Sequence, residues 1–159
     1  MKEKDIQKLS KYSAKVSFTT KDKVPYKKLN ARQKENYNFH VVSALLAQYG
    51  YSCLRLTDDW AGADFIANHI DGETFLKVQL KGRLYFDKKY CDKEIYIAFP
   101  HKNEWYLYPH DELLKFALRN KGIKTTDSWK KGSYSWPNIP KEFQKELKNK
   151  NWYLGKTPF

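Results

Sequence analysis

Cysteine is nearly absent. Cys53 and Cys91 are the only two in 159 residues, and their spacing matches no metal-binding motif. Both are expected to be reduced thiols, as in a cytosolic protein, and Cys53 sits in an apolar run that reads as core. Long apolar runs are missing too, so no stretch is suited to span a membrane. The first residues are charged throughout and lack the apolar segment of a secretory signal. The expectation is a cytoplasmic protein with no membrane partner. Internal repeats are absent. Negative charge is scarce: 18 acids stand against 30 lysines and arginines, a formal charge of +12. That balance favours an anionic partner, with nucleic acid first. The same charge also keeps a lysine-rich surface soluble, so charge alone leaves both readings open.

Aromatics, by contrast, are plentiful at 16%. They supply apolar surface for folding despite a mean hydropathy of -0.82. The length suits one domain around one core. Residues 1–29 read as a basic arm: nine lysines precede Asn30, against Glu3, Asp5 and Asp22. Ile6, Leu9, Tyr12 and Val16 recur at helical spacing, which predicts a short helix there. Phe18 to Asn30, with Pro25, reads as an extended connector. It either lies on phosphates or is a solvated arm.

A longer helix is expected from about Ala31 to Tyr49, capped by Asn30, with Phe39, Val42, Leu45, Leu46 and Tyr49 as its apolar stripe and Gly50 as its stop. Strands are expected at Tyr51–Leu56, Glu94–Phe99 and Trp105–Tyr108, with a loop at Thr57–Ala61. Helices are expected at His110–Asn120, burying Leu113, Leu114, Ala117 and Leu118, and at Lys141–Asn149, burying Phe143 and Leu147. Residues 123–140 read as loop, with Trp129 and Trp136 anchoring it and Lys130 and Lys131 exposed. The order implies a mixed α/β sheet flanked by helices.

One stretch carries more. Gly62-Ala63-Asp64-Phe65-Ile66-Ala67 and Phe75-Leu76-Lys77-Val78-Gln79-Leu80-Lys81 flank Asp71-Gly72, a strong hairpin signal. With Asp71-Gly72 as a two-residue turn, Ile70 faces Glu73 and Asp64 faces Gln79 on one side of the hairpin. Lys81 projects from that side as well. A carboxylate, an amide oxygen and an ammonium thus converge, the material for a divalent cation and a polarised water. The bland alternative is a polar hairpin face turned to water.

Asp64 followed by Gln79-Leu80-Lys81 resembles the PD-(D/E)xK nuclease superfamily, as does the helix–glycine–strand lead-in from Val41 to Leu56. The resemblance spans roughly residues 30–110 and is nearest to small uncharacterised bacterial nuclease-like proteins with a Val-Gln-x-Lys strand. Ala63 replaces the family's proline, and Gln79 its commoner acid. The resemblance implies a restriction-endonuclease-like fold over residues 30–159 and a Mg²⁺-dependent DNA endonuclease, with Mn²⁺ as a substitute metal. Asp64, Gln79, the Leu80 carbonyl and Glu35 would hold the metal, and Lys81 would polarise the attacking water. A homodimer that cuts both strands is a further implication. The family's helix acid falls about eleven residues before the helix-ending glycine, which here is Phe39. Glu35, one turn earlier on the same face, either reaches the site or merely complements the helix dipole. Asp58 and Asp59 are second choices.

The expected DNA contacts are Lys27, Lys28, Arg32, Lys77, Arg83, Lys88, Lys89, Lys130 and Lys131. The alternative function is a non-catalytic DNA-binding module, or an assembly subunit, of the same fold. His110-Asp111-Glu112 suggests a second metal cluster or, more simply, acids opening a helix.

Overall fold

The computed structural model describes residues 2–5 and 18–158. The helix expected over Ile6 to Val16 lies outside them. The chain divides into two units, residues 1–34 and 35–159. Within the first, Thr20–Asp22 and Tyr26–Lys28 are single 3-10 turns, and Lys27 and Lys28 are exposed.

Helix α1 spans Ala31–Ala47. Asn30 caps it reciprocally: Asn30 Oδ1 accepts from the Gln33 amide at 2.9 Å, and Gln33 Oε1 accepts from the Asn30 amide at 3.0 Å. Val41, Val42, Leu45 and Leu46 are its buried residues. The helix tightens after Ala47, so Tyr49 falls beyond it and is exposed rather than part of the stripe.

The strands are β1 (Tyr51–Trp60), β2 (Ala63–His69), β3 (Phe75–Leu80), β4 (Leu84–Asp87), β5 (Ile95–His101), β6 (Glu104–Pro109), β7 (Ser133–Trp136) and β8 (Tyr153–Lys156). Helices α2 (His110–Asn120), α3 (Asp127–Lys130) and α4 (Lys141–Asn149) complete the fold. The central sheet runs β1-β2-β3-β5-β6-β8, and β4 pairs separately with β7. Among the described residues only the β3–β5 pairing is parallel. This is the mixed α/β sheet flanked by helices that the resemblance implies.

Two apolar layers cover the sheet. On one side α1 packs Val41, Val42, Leu45 and Leu46 onto Phe65, Ala67, Leu76, Val78 and Ala98. On the other, Leu113, Ala117, Phe143 and Leu147 of α2 and α4 meet Ile95, Ile97, Phe99 and Tyr108. Strand β5 is therefore buried on both faces, which explains its unbroken apolar run. Each of the buried Val, Leu, Ile and Phe side chains contributes roughly 1.5–3 kcal/mol relative to exposure.

Several elements differ from expectation. Strand β1 continues through Thr57–Trp60 instead of giving way to loop, with a register shift between Arg55 and Trp60 that masks the alternation. Residues 123–140 contain α3 and β7. Trp129 is buried, while Lys130 and Lys131 are exposed. The tight two-residue turn is at Ala61-Gly62, both at positive φ, where Trp60 pairs with Ala63. At Asp71-Gly72 the loop is four residues, Ile70–Glu73. It is closed by the His69 amide donating to the Thr74 carbonyl at 2.9 Å and the Gly72 amide to the His69 carbonyl at 3.0 Å. The Asp71 carboxylate accepts from the Glu73 and Thr74 amides and the Thr74 hydroxyl, which holds it well below the usual carboxylate range. This longer loop has the same centre, so the β2–β3 register is the expected one: Phe65 opposite Val78, Ile66 opposite Lys77, Ala67 opposite Leu76.

Candidate functional site

Phe65 and Ala67 face α1, so alternation turns Asp64 and Ile66 to the other side of β2. Asp64 meets Gln79 there. Gln79 Nε2 donates to Asp64 Oδ2 at 2.6 Å, and the Leu80 amide donates to the same oxygen at 2.7 Å. Gln79 Nε2 also approaches the Leu80 carbonyl at 3.4 Å. Burial pushes the Asp64 carboxyl above its ordinary value, against the opposing pull of the Leu80 amide, Lys81 and Gln79.

A single amide nitrogen thus touches both other donors. Turning the Gln79 amide about its last bond exchanges its nitrogen for oxygen. Asp64, Gln79 and the Leu80 carbonyl would then offer three hard oxygens, a donor set that fits Mg²⁺ and carries one negative charge.

Lys81 follows directly. Its amide donates to the Ala98 carbonyl at 2.9 Å, which extends the pairing with β5. Its ammonium lies over two rings, 4.7 Å from the Tyr85 centroid and 5.6 Å from that of Tyr90. Gly62 makes room for this. At φ +93° it suits the turn, and a Cβ there would stand 2.9 Å from Tyr90 Cε1. The sequence marks Gly62, Tyr85 and Tyr90 only as neighbours of the motif. The approach of Gly62 to Tyr90 and of both rings to Lys81 arises from β4 and the 3-10 turn Lys88–Tyr90 folding back over the hairpin.

Glu35 is engaged elsewhere. Arg55 donates to Glu35 Oε1 and to Asn36 Oδ1, and its guanidinium lies 5.4 Å from the Phe39 ring centroid. Arg55 pairs with Phe65 and so shares the α1 side of the sheet. Glu35 acts on Asp64 only through its charge, which raises the Asp64 carboxyl slightly further. Asp58 is exposed near the end of β1, and the Asp59 side chain lies outside the description. Glu35→Gln is expected to lower stability by no more than about 1 kcal/mol, since the pair is part-exposed. Metal affinity, read by calorimetric titration, should stay unchanged. A clear loss of affinity would return Glu35 to the metal site.

The basic residues separate into groups. Lys88 lies over Trp129 and donates to the Lys130 carbonyl at 3.4 Å, and Lys89 lies over Tyr90. Lys88 and Lys89 lie in the 3-10 turn after β4 and Lys130 at the end of α3, with Lys131 exposed next to it; of these, Lys89 shares the Tyr90 ring with Lys81. Arg83 is exposed between β3 and β4, and Lys77 pairs with Glu94 at 3.6 Å. Arg32 is exposed in the first turn of α1.

Cys91, His110 and Asp111 place potential ligand atoms within 4.8 Å of one another. Their hydrogen bonds argue against a metal. The Asp87 amide donates to His110 Nε2 at 3.2 Å, so the proton sits on Nδ1, 2.8 Å from Asp111 Oδ1. A metal on Nδ1 would need Nε2 to carry a proton facing another N–H. Asp111 also accepts from the Asp92 amide at 2.9 Å. The cluster joins the start of α2 to β4, and Asp111 and Glu112 occupy the first turn of α2.

No family model matches the chain, and no curated protein matches it. Among solved structures, similarity extends to the Holliday junction resolvase Hjc of Archaeoglobus fulgidus, with 19% identity over 49% of this chain and 74% of that one at a TM-score of 0.41. It also extends to a bacterial homing endonuclease, with 12% identity over 79% of this chain and 87% of that one at a TM-score of 0.47.

Proposed function

We propose that this chain is a Mg²⁺-dependent DNA endonuclease. The observation that carries the reading is the convergence of Asp64, the Gln79 amide and the Leu80 carbonyl within hydrogen-bond reach, with Lys81 next in sequence. Asp64, Gln79 and Leu80 would hold the metal, which when bound supplies Lewis-acid stabilisation and a more acidic water. The Lys81 ammonium donates hydrogen bonds that orient the attacking water and steady charge growing on the phosphate. Lys88, Lys89, Lys130 and Lys131 supply phosphate contacts, and Lys27, Lys28, Arg32, Lys77 and Arg83 contribute further charge. Mn²⁺ substitutes for Mg²⁺, a homodimer cuts both strands, and the work is done in the cytoplasm.

A second reading has its own support. The donor set carries a single negative charge and Glu35 is held by Arg55, so metal binding is weak. A chain of this kind serves as a DNA-binding module without cleavage. Incubation with supercoiled, linear and branched DNA separates the two. Products are expected with Mg²⁺ or Mn²⁺ and none with EDTA. Salt-sensitive DNA binding without products in any metal would favour the binding module.

A further inference from the structure

A lysine is a poor positioning device on its own. Its ammonium rides on a flexible four-carbon stem with much rotamer entropy to lose. Aromatic faces attract an ammonium within about 6 Å of the ring centroid. Two such faces bracket Lys81, at 4.7 Å and 5.6 Å.

Both rings are themselves held. Tyr85 donates its hydroxyl to Asp87 Oδ2 at 2.9 Å, and its backbone is clasped by the Tyr108 hydroxyl, which accepts from the Tyr85 amide and donates to the Tyr85 carbonyl. Tyr90 is 1% exposed, with Gly62 close to its Cδ1 and Cε1 atoms and the His110 ring edge-on at 5.6 Å. Asp87 in turn is fixed by His110, whose Nε2 accepts from its amide. The chain Tyr85–Asp87–His110–Tyr90 thus ties both rings to α2.

We infer that Tyr85 and Tyr90 are positioning residues: a two-ring seat, braced by Asp87 and His110, that holds the Lys81 ammonium for the phosphate and water. The inference rests on the nuclease reading for its consequence but not for its detection.

The test uses the full chain and two readouts. In ¹H–¹³C spectra, the Lys81 ε-methylene, assigned by its loss in Lys81→Gln, is expected upfield of the other lysines through the ring currents. Tyr85→Leu should collapse that shift, whereas Tyr85→Phe, which keeps the ring, should preserve it. In cleavage assays, Tyr85→Leu should lower kcat by about 10- to 100-fold, the scale of a small misplacement, with KM for DNA unchanged. Tyr85→Phe should recover most of that loss. A Lys81 resonance among the ordinary lysines, or a Tyr85→Leu enzyme with wild-type kcat, would overturn the seat. An upfield resonance in a wild-type protein that cuts no DNA would uphold the seat and overturn the nuclease reading alone.

Discussion

Asp64→Asn is expected to remove metal-dependent cleavage, by at least about 100-fold, the scale on which one transition-state electrostatic contact acts. Asp64 is the only anion of the Asp64–Gln79–Leu80 set, and its neutral isostere keeps a side-chain oxygen that can accept from Leu80 and Gln79. Lys81→Ala should abolish cleavage comparably while leaving metal affinity intact. The Asp64 change carries a second signature in stability. Burial raises the folded carboxyl above its ordinary value of 3.8, so the folded state binds that proton more tightly than the unfolded state. Stability from this group is therefore greatest below the unfolded value and is lost as pH rises through the folded one. At neutral pH the ionised carboxylate is a cost, and Asp64→Asn should raise the melting temperature. The gain should shrink as pH falls towards 3.8. Thermal melts at several pH values, run beside the cleavage assay, check both halves. An inactive variant that is also markedly less stable would make Asp64 a structural residue.

The second large effect falls on His110. It is fully buried, accepts from the Asp87 amide and meets Asp111 on its other nitrogen. His110→Ala would leave a buried cavity beside Phe86 and Tyr90 and unpair the Asp87 amide. A loss of at least about 3 kcal/mol is expected from those two causes, a large share of the roughly 5–15 kcal/mol that holds a typical domain together. Burial also depresses the His110 pKa below 6.5, although Asp111 and Asp87 pull the other way. The neutral ring stabilises the fold above 6.5, and that stability is lost as pH falls from 6.5 through the folded value. The structural reason is direct: a proton on Nε2 would face the Asp87 N–H. Urea titrations between pH 8 and 5 should show the decline in the wild type and a flatter profile in His110→Gln, which keeps an acceptor but does not titrate there. Equal slopes would assign the acid sensitivity to other groups.

Helix α1 and the β2–β3 register were legible because each rests on a repeating local pattern. Leu76 and Val78 alternate with Lys77 and Gln79, Phe65 and Ala67 share the same period of two, and α1 presents Val42, Leu45 and Leu46 at helical spacing. The loop at Asp71-Gly72 is longer than the two-residue turn its sequence suggests, yet the register is the same because the buried face on α1 demands the same pairing. Strands β7 and β8 were not legible. Each is four residues long and half-buried, and each finds its partner, β4 or β6, only across a long stretch of chain. The Glu35–Arg55 pair and the rings over Lys81 were hidden for the same reason. They depend on how α1 meets β1 and how β4 returns over the hairpin, and no local spacing encodes either.

The hairpin loop has a practical value apart from chemistry. Ile70 to Glu73 sit at the far end of β2 from Asp64, roughly 20 Å along the strand at about 3.3 Å per residue. An added Cβ at Gly72 would meet nothing within 4 Å. Because the core on α1 holds the strand pairing, this loop is suited to carry a graft. A fluorophore, an affinity tag or a tethered DNA-targeting module placed there would report on or redirect the protein from a distance, while Asp64 and Gln79 kept their pairing.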